Sequence, residues 1–226
     1  MRSMSTDHMP PSGRAGDTAV RVFGQTRDGY RPRATTLERS RAIREAAARF
    51  IGERGLWRFS MLSLSRALDC LLPTLCYYYK RREELVTDIV LRHVETLRVR
   101  TALAMEEVED GSPSRELHAF TREYLLVALA ETDFHRLSLC YSSLASRAER
   151  AEYRARREAV RDCVESRLTA HAPSLAGKPE MAHALSHAVL DLLDGAIDWM
   201  EPYGVVKPVA HAAMAADWAL DQAGRS

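Results

Sequence analysis

Thr74, Tyr77, Tyr78 and Arg81 fall at i, i+3, i+4 and i+7, and they run into the basic triplet Lys80-Arg81-Arg82. On a helix this spacing gathers three hydroxyls and a cation on one face, while Leu75 and Tyr79, four apart, point another way and can pack. Polar tips beside cations match phosphate oxygens and base edges. The chemistry these residues suit is recognition of a polyanion, not bond making or breaking.

Two short elements must hold that face outward. SMLSLSRALD sets Leu64, Ala67 and Leu68 at helical spacing after Ser60, a serine able to cap the first turn. A break at about 69–72 precedes Pro73, whose fixed φ and missing N–H suit the first position of a second helix. Two short helices across a tight turn form a helix-turn-helix candidate. Upstream, Leu37, Ile43, Ala46, Ala47, Phe50 and Ile51 make the stripe of a helix that begins at Thr36 and stops at Gly55. Trp57 and Phe59 follow as expected core aromatics bridging that helix to the motif.

Pro73-Thr74-Leu75, Tyr79, Arg82 and Glu83-Glu84-Leu85 together resemble the signature of the TetR family of one-component bacterial transcriptional regulators, and Ala42 to Ala47, Phe50 and Gly55 resemble that family's first helix and its glycine stop. The likeness covers about 37–90. It implies an all-α homodimer of about nine helices, with a helix-turn-helix DNA-binding domain at 36–82 and an effector-binding and dimerisation domain at 83–226. It also implies that Pro73, Thr74, Tyr77 and Tyr78 contact bases and phosphates, with Arg82 where the family usually has a phosphate-binding lysine. Ser60, Lys80 and Arg81 complete the DNA-contact set. The chain departs from the pattern at Asp69, where a glycine is usual, at Cys76, where a tyrosine is common, and at Met61, Leu62, Leu71 and Leu72, where polar residues are frequent.

Of the 226 residues 46% are hydrophobic and 28% charged, which excludes disorder throughout. The net charge of +1 hides an asymmetry: residues 1–85 carry 16 Lys and Arg against 9 Asp and Glu, residues 86–226 carry 16 against 22. A basic end on an acidic remainder suits a chain that offers one end to a polyanion. Residues 1–35, rich in Pro and Gly with six arginines, read as a flexible basic tail, either lying along DNA or a leader without a specific role. Cys70, Cys76, Cys140 and Cys163 show neither C-x-x-C pairing nor zinc spacing, so reduced thiols are expected. Cys70 and Cys76 flank the turn, where a redox switch and plain apolar packing are the two readings. No apolar run approaches the length of a membrane span and no secretory core precedes the motif, so a cytoplasmic protein is expected.

Beyond Arg82 a long helix to about Val108 is expected, its face set by Leu85, Ile89, Val94, Leu97 and Leu103. Helices at about 113–130, 133–146, 149–171, 179–201 and 208–223 follow, with a loop from Pro202 to Pro208. The helix at 179–201 is apolar around most of its circumference. Its polar residues His183, His187, Asp191, Asp194 and Asp198 form a narrow line. Pairing with a second copy through 179–201 and 208–223 would cover it as a four-helix bundle. His118, Tyr124, His135, Tyr141, His187, Asp191 and Trp199 are the candidates for an effector pocket. His183, His187 and Asp191 at i, i+4 and i+8 resemble half a metal site without the remaining ligands, so no metal and no cofactor is expected. No phosphate loop, nucleophile elbow or zinc-protease motif occurs, and an enzyme is not expected. The reading is a regulator that binds operator DNA and is released by a small molecule. The alternative is the same fold without sequence-specific DNA binding, serving a small molecule, a lipid or a protein partner; it requires Met61, Leu62, Leu71 and Leu72 to lie exposed.

Overall fold

The computed structural model describes residues 35–141, 145–200 and 206–225, without the side chains of 198–200 and 206–207. Of the basic tail expected at 1–35, residues 1–34 lie outside the described residues, as does the side chain of Trp199, while Thr35 is the cap of the first helix. Among the described residues there are nine α-helices and no strand: α1 (Thr36–Arg54), α2 (Met61–Ala67), α3 (Leu72–Tyr78), α4 (Arg82–Glu106), α5 (Pro113–Ala130), α6 (Thr132–Cys140), α7 (Arg147–His171), α8 (Pro179–Met200) and α9 (Val206–Arg225). Short 3-10 turns span Leu56–Arg58 and Pro173–Gly177. Pro208 falls in the first turn of α9 rather than in a loop, where its missing N–H leaves no hydrogen bond unmade. The chain divides into two compact units, the first ending at Arg82 and the second starting at Glu83.

In the first unit, α1 opens on a reciprocal cap in which Thr35 Oγ1 accepts the Glu38 N–H and the Glu38 carboxylate accepts the Thr35 N–H. The Thr35 N–H first, and then the Thr35 hydroxyl, hold the Glu38 carboxyl below its ordinary range. Gly55 ends the helix region at φ 79°, a backbone conformation that a side chain would strain. Ile43, Ala47, Phe50, Phe59, Leu64, Leu68, Leu75 and Tyr79 are buried, and the Phe50 and Phe59 rings meet at 5.9 Å. Two expectations fail at the edges of this core. Leu37 is 81% exposed because α1 has only begun there, and Trp57 is 92% exposed because the 3-10 turn directs its successor Phe59 inward in its stead.

The second unit packs α5, α7, α8 and α9 against one another. In α4, Leu85, Ile89, His93, Val94, Leu97, Thr101 and Met105 are buried while Leu103 is exposed, so the stripe continues through Thr101 and Met105. Ala212, Ala215, Ala216, Ala219 and Ala223 of α9 are buried within the chain itself, the close packing their small side chains allow. Leu185, Val189, Leu190, Leu193, Ala196 and Ile197 of α8 are likewise buried, whereas Leu192 is exposed. No described helix is long and apolar enough to cross a membrane.

Candidate functional site

The motif is built as its residues dictate. Ser60 caps α2 by accepting the Ser63 N–H at 3.0 Å, and Ser63 Oγ accepts the Ser60 N–H at 2.9 Å. Asp69 turns the chain at φ 48°, the left-handed conformation that a glycine would adopt freely and that aspartate tolerates better than most residues. The helix α3 starts one residue earlier than expected, with Leu71 as cap and Pro73 inside the first turn. Leu75 and Tyr79 point into the unit, and Arg44 Nη1 donates to the Tyr79 hydroxyl at 3.1 Å. Arg82 Nη1 donates to the Phe59 carbonyl at 3.3 Å, which ties the residue after the motif to the residue before it.

The remaining candidates for DNA contact lie on the accessible side. Ser60, Pro73, Tyr77, Lys80 and Arg81 are exposed, and Thr74, Tyr78 and Arg82 are half-buried. Tyr77 and Tyr78 meet edge to face at 5.3 Å, a contact that restricts both rings. Cys70 and Cys76 are half-buried thiols, and burial beside the Asp69 carboxylate pushes the Cys70 thiol up, which keeps it protonated and favours the packing role over a redox one.

The second unit contains a buried polar relay that the sequence does not announce. The Glu131 carboxylate lies 2.7 Å from His93 Nδ1, His93 Nε2 lies 3.0 Å from His135 Nδ1, and His135 Nε2 lies 3.2 Å from Asp194 Oδ1. Tyr124 donates to Asp194 Oδ1 at 2.5 Å, and Arg157 donates to Asp194 Oδ2 at 2.6 Å and to the Tyr124 hydroxyl at 2.7 Å. Asp194 therefore leaves the solvated line where its spacing had placed it and becomes the internal counter-ion of Arg157. Burial alone would raise its carboxyl, but His135 and the Arg157 charge outweigh that and hold it below the usual range. Burial pushes the Tyr124 phenol well up, so it remains a donor.

Burial is the main influence on His93 and lowers it, with the Glu131 bond opposing, so the neutral form is favoured in the fold. The sign follows: the unfolded chain takes up a proton near pH 6.5 while folded His93 does not, so stability is complete above about pH 6.5 and is lost as pH falls below it. Denaturation midpoints at pH 7.5 and 5.5 should show that loss in the wild type and less of it in His93→Gln; equal losses in both would remove His93 as its source.

The sequence-nominated effector residues are dispersed. Tyr124 and His135 belong to the relay. The Tyr141 hydroxyl is buried 2.7 Å from Thr87 Oγ1, and His118 Nε2 lies 3.0 Å from Asp217 Oδ1. His183 Nε2 and His187 Nε2 both converge on Arg161 Nη1, at 3.0 and 3.2 Å, so a guanidinium fills the point at which a metal would sit. Among the described residues no group of three His, Cys, Asp or Glu is placed to hold a metal ion. Asp191 lines a groove of about 670 Å³ between α8 and α9, together with Ala188, Leu192, His211, Met214, Ala215 and Trp218.

No protein-family model matches the chain, and no curated protein matches it in sequence. Solved structures do. A TetR-family transcriptional regulator from Bordetella parapertussis superposes with a TM-score of 0.74 at 21% identity, over 80% of this chain and 94% of that one. The ketosteroid transcriptional regulator KstR2 of Mycobacterium tuberculosis gives 0.67 at 16% identity, over 89% and 97%. AibR, solved in complex with isovaleryl coenzyme A and operator DNA, gives 0.66 at 19% identity, over 79% and 96%. At these identities what is shared is the fold.

Proposed function

We propose that this chain, which has the fold of the TetR-family transcriptional regulators, is itself a one-component regulator: a dimer that binds operator DNA through α3 and is released when a small molecule binds the second unit. The observation that carries the reading is the presentation of α3. Its inner residues Leu75 and Tyr79 are buried, its outer residue Tyr77 is 80% exposed, and Lys80 and Arg81 follow on accessible backbone. Two copies of such an element suit successive major grooves. The dimer is assigned to α8 and α9, whose groove leaves Leu192, Met214 and Trp218 exposed. Tyr124, His118, Tyr141, His187, Asp191 and Trp199 are the effector candidates, with Asp191 foremost because it alone of those whose side chains are described lines the groove between α8 and α9, whereas the Tyr124 hydroxyl is already engaged by Asp194 and Arg157. An effector acts only by preferring one of two conformers, and release from DNA requires that it prefer the one with the poorer spacing of the two α3 helices. The protein needs no cofactor in this role, catalyses no reaction and works in the cytoplasm, where its DNA is.

Leu62 and Leu71 are exposed while Met61 and Leu72 are half-buried, so the patch is only half presented; its exposed part supports a second reading, the same fold docking a protein or carrying a ligand without reading DNA sequence. Selection from random duplexes separates the two. The full chain should enrich one family of sequences, bind it against excess random DNA and release it as salt rises from about 50 to 200 mM. The double variant Tyr77→Ala, Tyr78→Ala should lose that binding while its thermal unfolding stays unchanged. Salt-sensitive binding equally displaced by random DNA would hand the surface to the second reading.

A further inference from the structure

The hydroxyls of Ser60, which caps α2, and of Ser63 and Ser65 within it are each engaged by hydrogen bonds within this segment, although Ser60 itself is exposed. Ser60 Oγ accepts from the Ser63 backbone, Ser63 Oγ donates to the Ser60 carbonyl at 2.8 Å, and buried Ser65 donates to the Leu62 carbonyl at 2.9 Å. From the turn onward, residues 71–79 read LLPTLCYYY and contain no arginine, lysine, amide or carboxylate. The side chains that read guanine, adenine and cytosine by paired hydrogen bonds in the major groove are therefore missing from α3. What this segment pushes outward is apolar. Pro73 and Tyr77, four apart, lie opposite buried Leu75, and Leu71 at the head of the helix is 76% exposed. Exposed Arg66 precedes this strip in the chain and exposed Lys80 and Arg81 follow it. An apolar strip set among cations fits a polyanion that carries apolar points. In the major groove one base edge offers such a point, the C5-methyl group of thymine.

We propose that α3 reads its operator through thymine methyl groups packed against Leu71, Pro73 and the Tyr77 ring, so that the contacted positions of each half-site are thymines and are discriminated from cytosine by shape and not by hydrogen bonding. This rests on the regulator reading, and it converts the apolar departures of the motif from a defect into its specificity. The cations supply the sequence-independent part of binding by displacing counterions from phosphates. The Thr74, Tyr77 and Tyr78 hydroxyls orient the helix on the backbone.

The test uses the full-length protein and the duplex it enriches from a random pool. Each thymine of the half-site is replaced singly by deoxyuridine, which removes the methyl group and leaves the hydrogen-bonding edge intact. At two or more positions affinity should fall about fourfold, the equivalent of one buried methylene-sized group. In Leu71→Ala, whose side chain makes no cap bond in the native protein, the thymine preference should vanish at one of those positions and persist at the others. An enriched duplex bound equally well with deoxyuridine throughout overturns the methyl readout and leaves the regulator reading standing. Failure to enrich any sequence overturns both and assigns the apolar strip to a protein partner.

Discussion

Replacing Asp194 with Ala will destabilise the second unit by roughly 3 to 5 kcal/mol, the range observed when one member of a buried ion pair is removed. The large size follows from what remains. Arg157 and Asp194 are both largely enclosed, with side chains 18% and 11% exposed, and the guanidinium is held in the charged form despite burial that opposes it, by Tyr124 and Asp194. Without the carboxylate, Arg157 and the Tyr124 hydroxyl lose their acceptor in a place that water reaches poorly. Arg157→Met should be comparably harmful through the orphaned carboxylate. The double variant Asp194→Leu, Arg157→Met should recover much of the loss, since both charges then leave together. Denaturant midpoints, read by hydrogen exchange in α5 and α8 so that the second unit is followed separately, provide the measurement. A double variant as unstable as the sum of the single ones would show that the two groups act independently.

That prediction concerns a residue whose place its own helix conceals. Periodicity tells which residues share a face, and in α3 that sufficed, with Leu75 and Tyr79 buried and Tyr77 outside as their spacing requires. The turn at Asp69 was legible for a similar reason, because few side chains tolerate positive φ. Periodicity does not tell what approaches a face. Asp194 shares a line with Asp191 and His187 on α8, and only the arrival of Arg157 from a helix 37 positions earlier turns it from a solvated residue into a largely enclosed one. His93 carried a readable signal, since Ile89, His93 and Leu97 fall at i, i+4 and i+8, which sets an imidazole in a core stripe and demands a partner for it. The partner, His135, lies 42 residues away and carries no local mark. Trp57 shows the converse: a large aromatic is read as core on composition, but the two-residue step from Trp57 to Phe59 allows only one of them to face Phe50.

The second large effect concerns assembly. In a single chain, α8 and α9 leave Leu192 41%, Met214 67% and Trp218 41% exposed along one groove, more apolar surface than solvent favours at contiguous positions. The alanines that would permit close approach, Ala212, Ala215 and Ala216, are already buried within the chain, so a partner must be met by the larger side chains and not by a small-residue seam. Introducing carboxylates with Leu192→Glu and Met214→Glu places four charges at a twofold interface and should yield a monomer with an unchanged circular dichroism spectrum, since both positions face solvent in the isolated chain. Operator affinity should then fall by about 10² to 10⁴, because the second half-site is no longer delivered at the effective concentration that a tethered copy provides. Binding to a single half-site duplex should be unaffected, which distinguishes lost assembly from damage to α3. Sedimentation of the wild type and variant decides the matter: a wild-type monomer, or a variant that still sediments as a dimer, would place the subunit contact elsewhere.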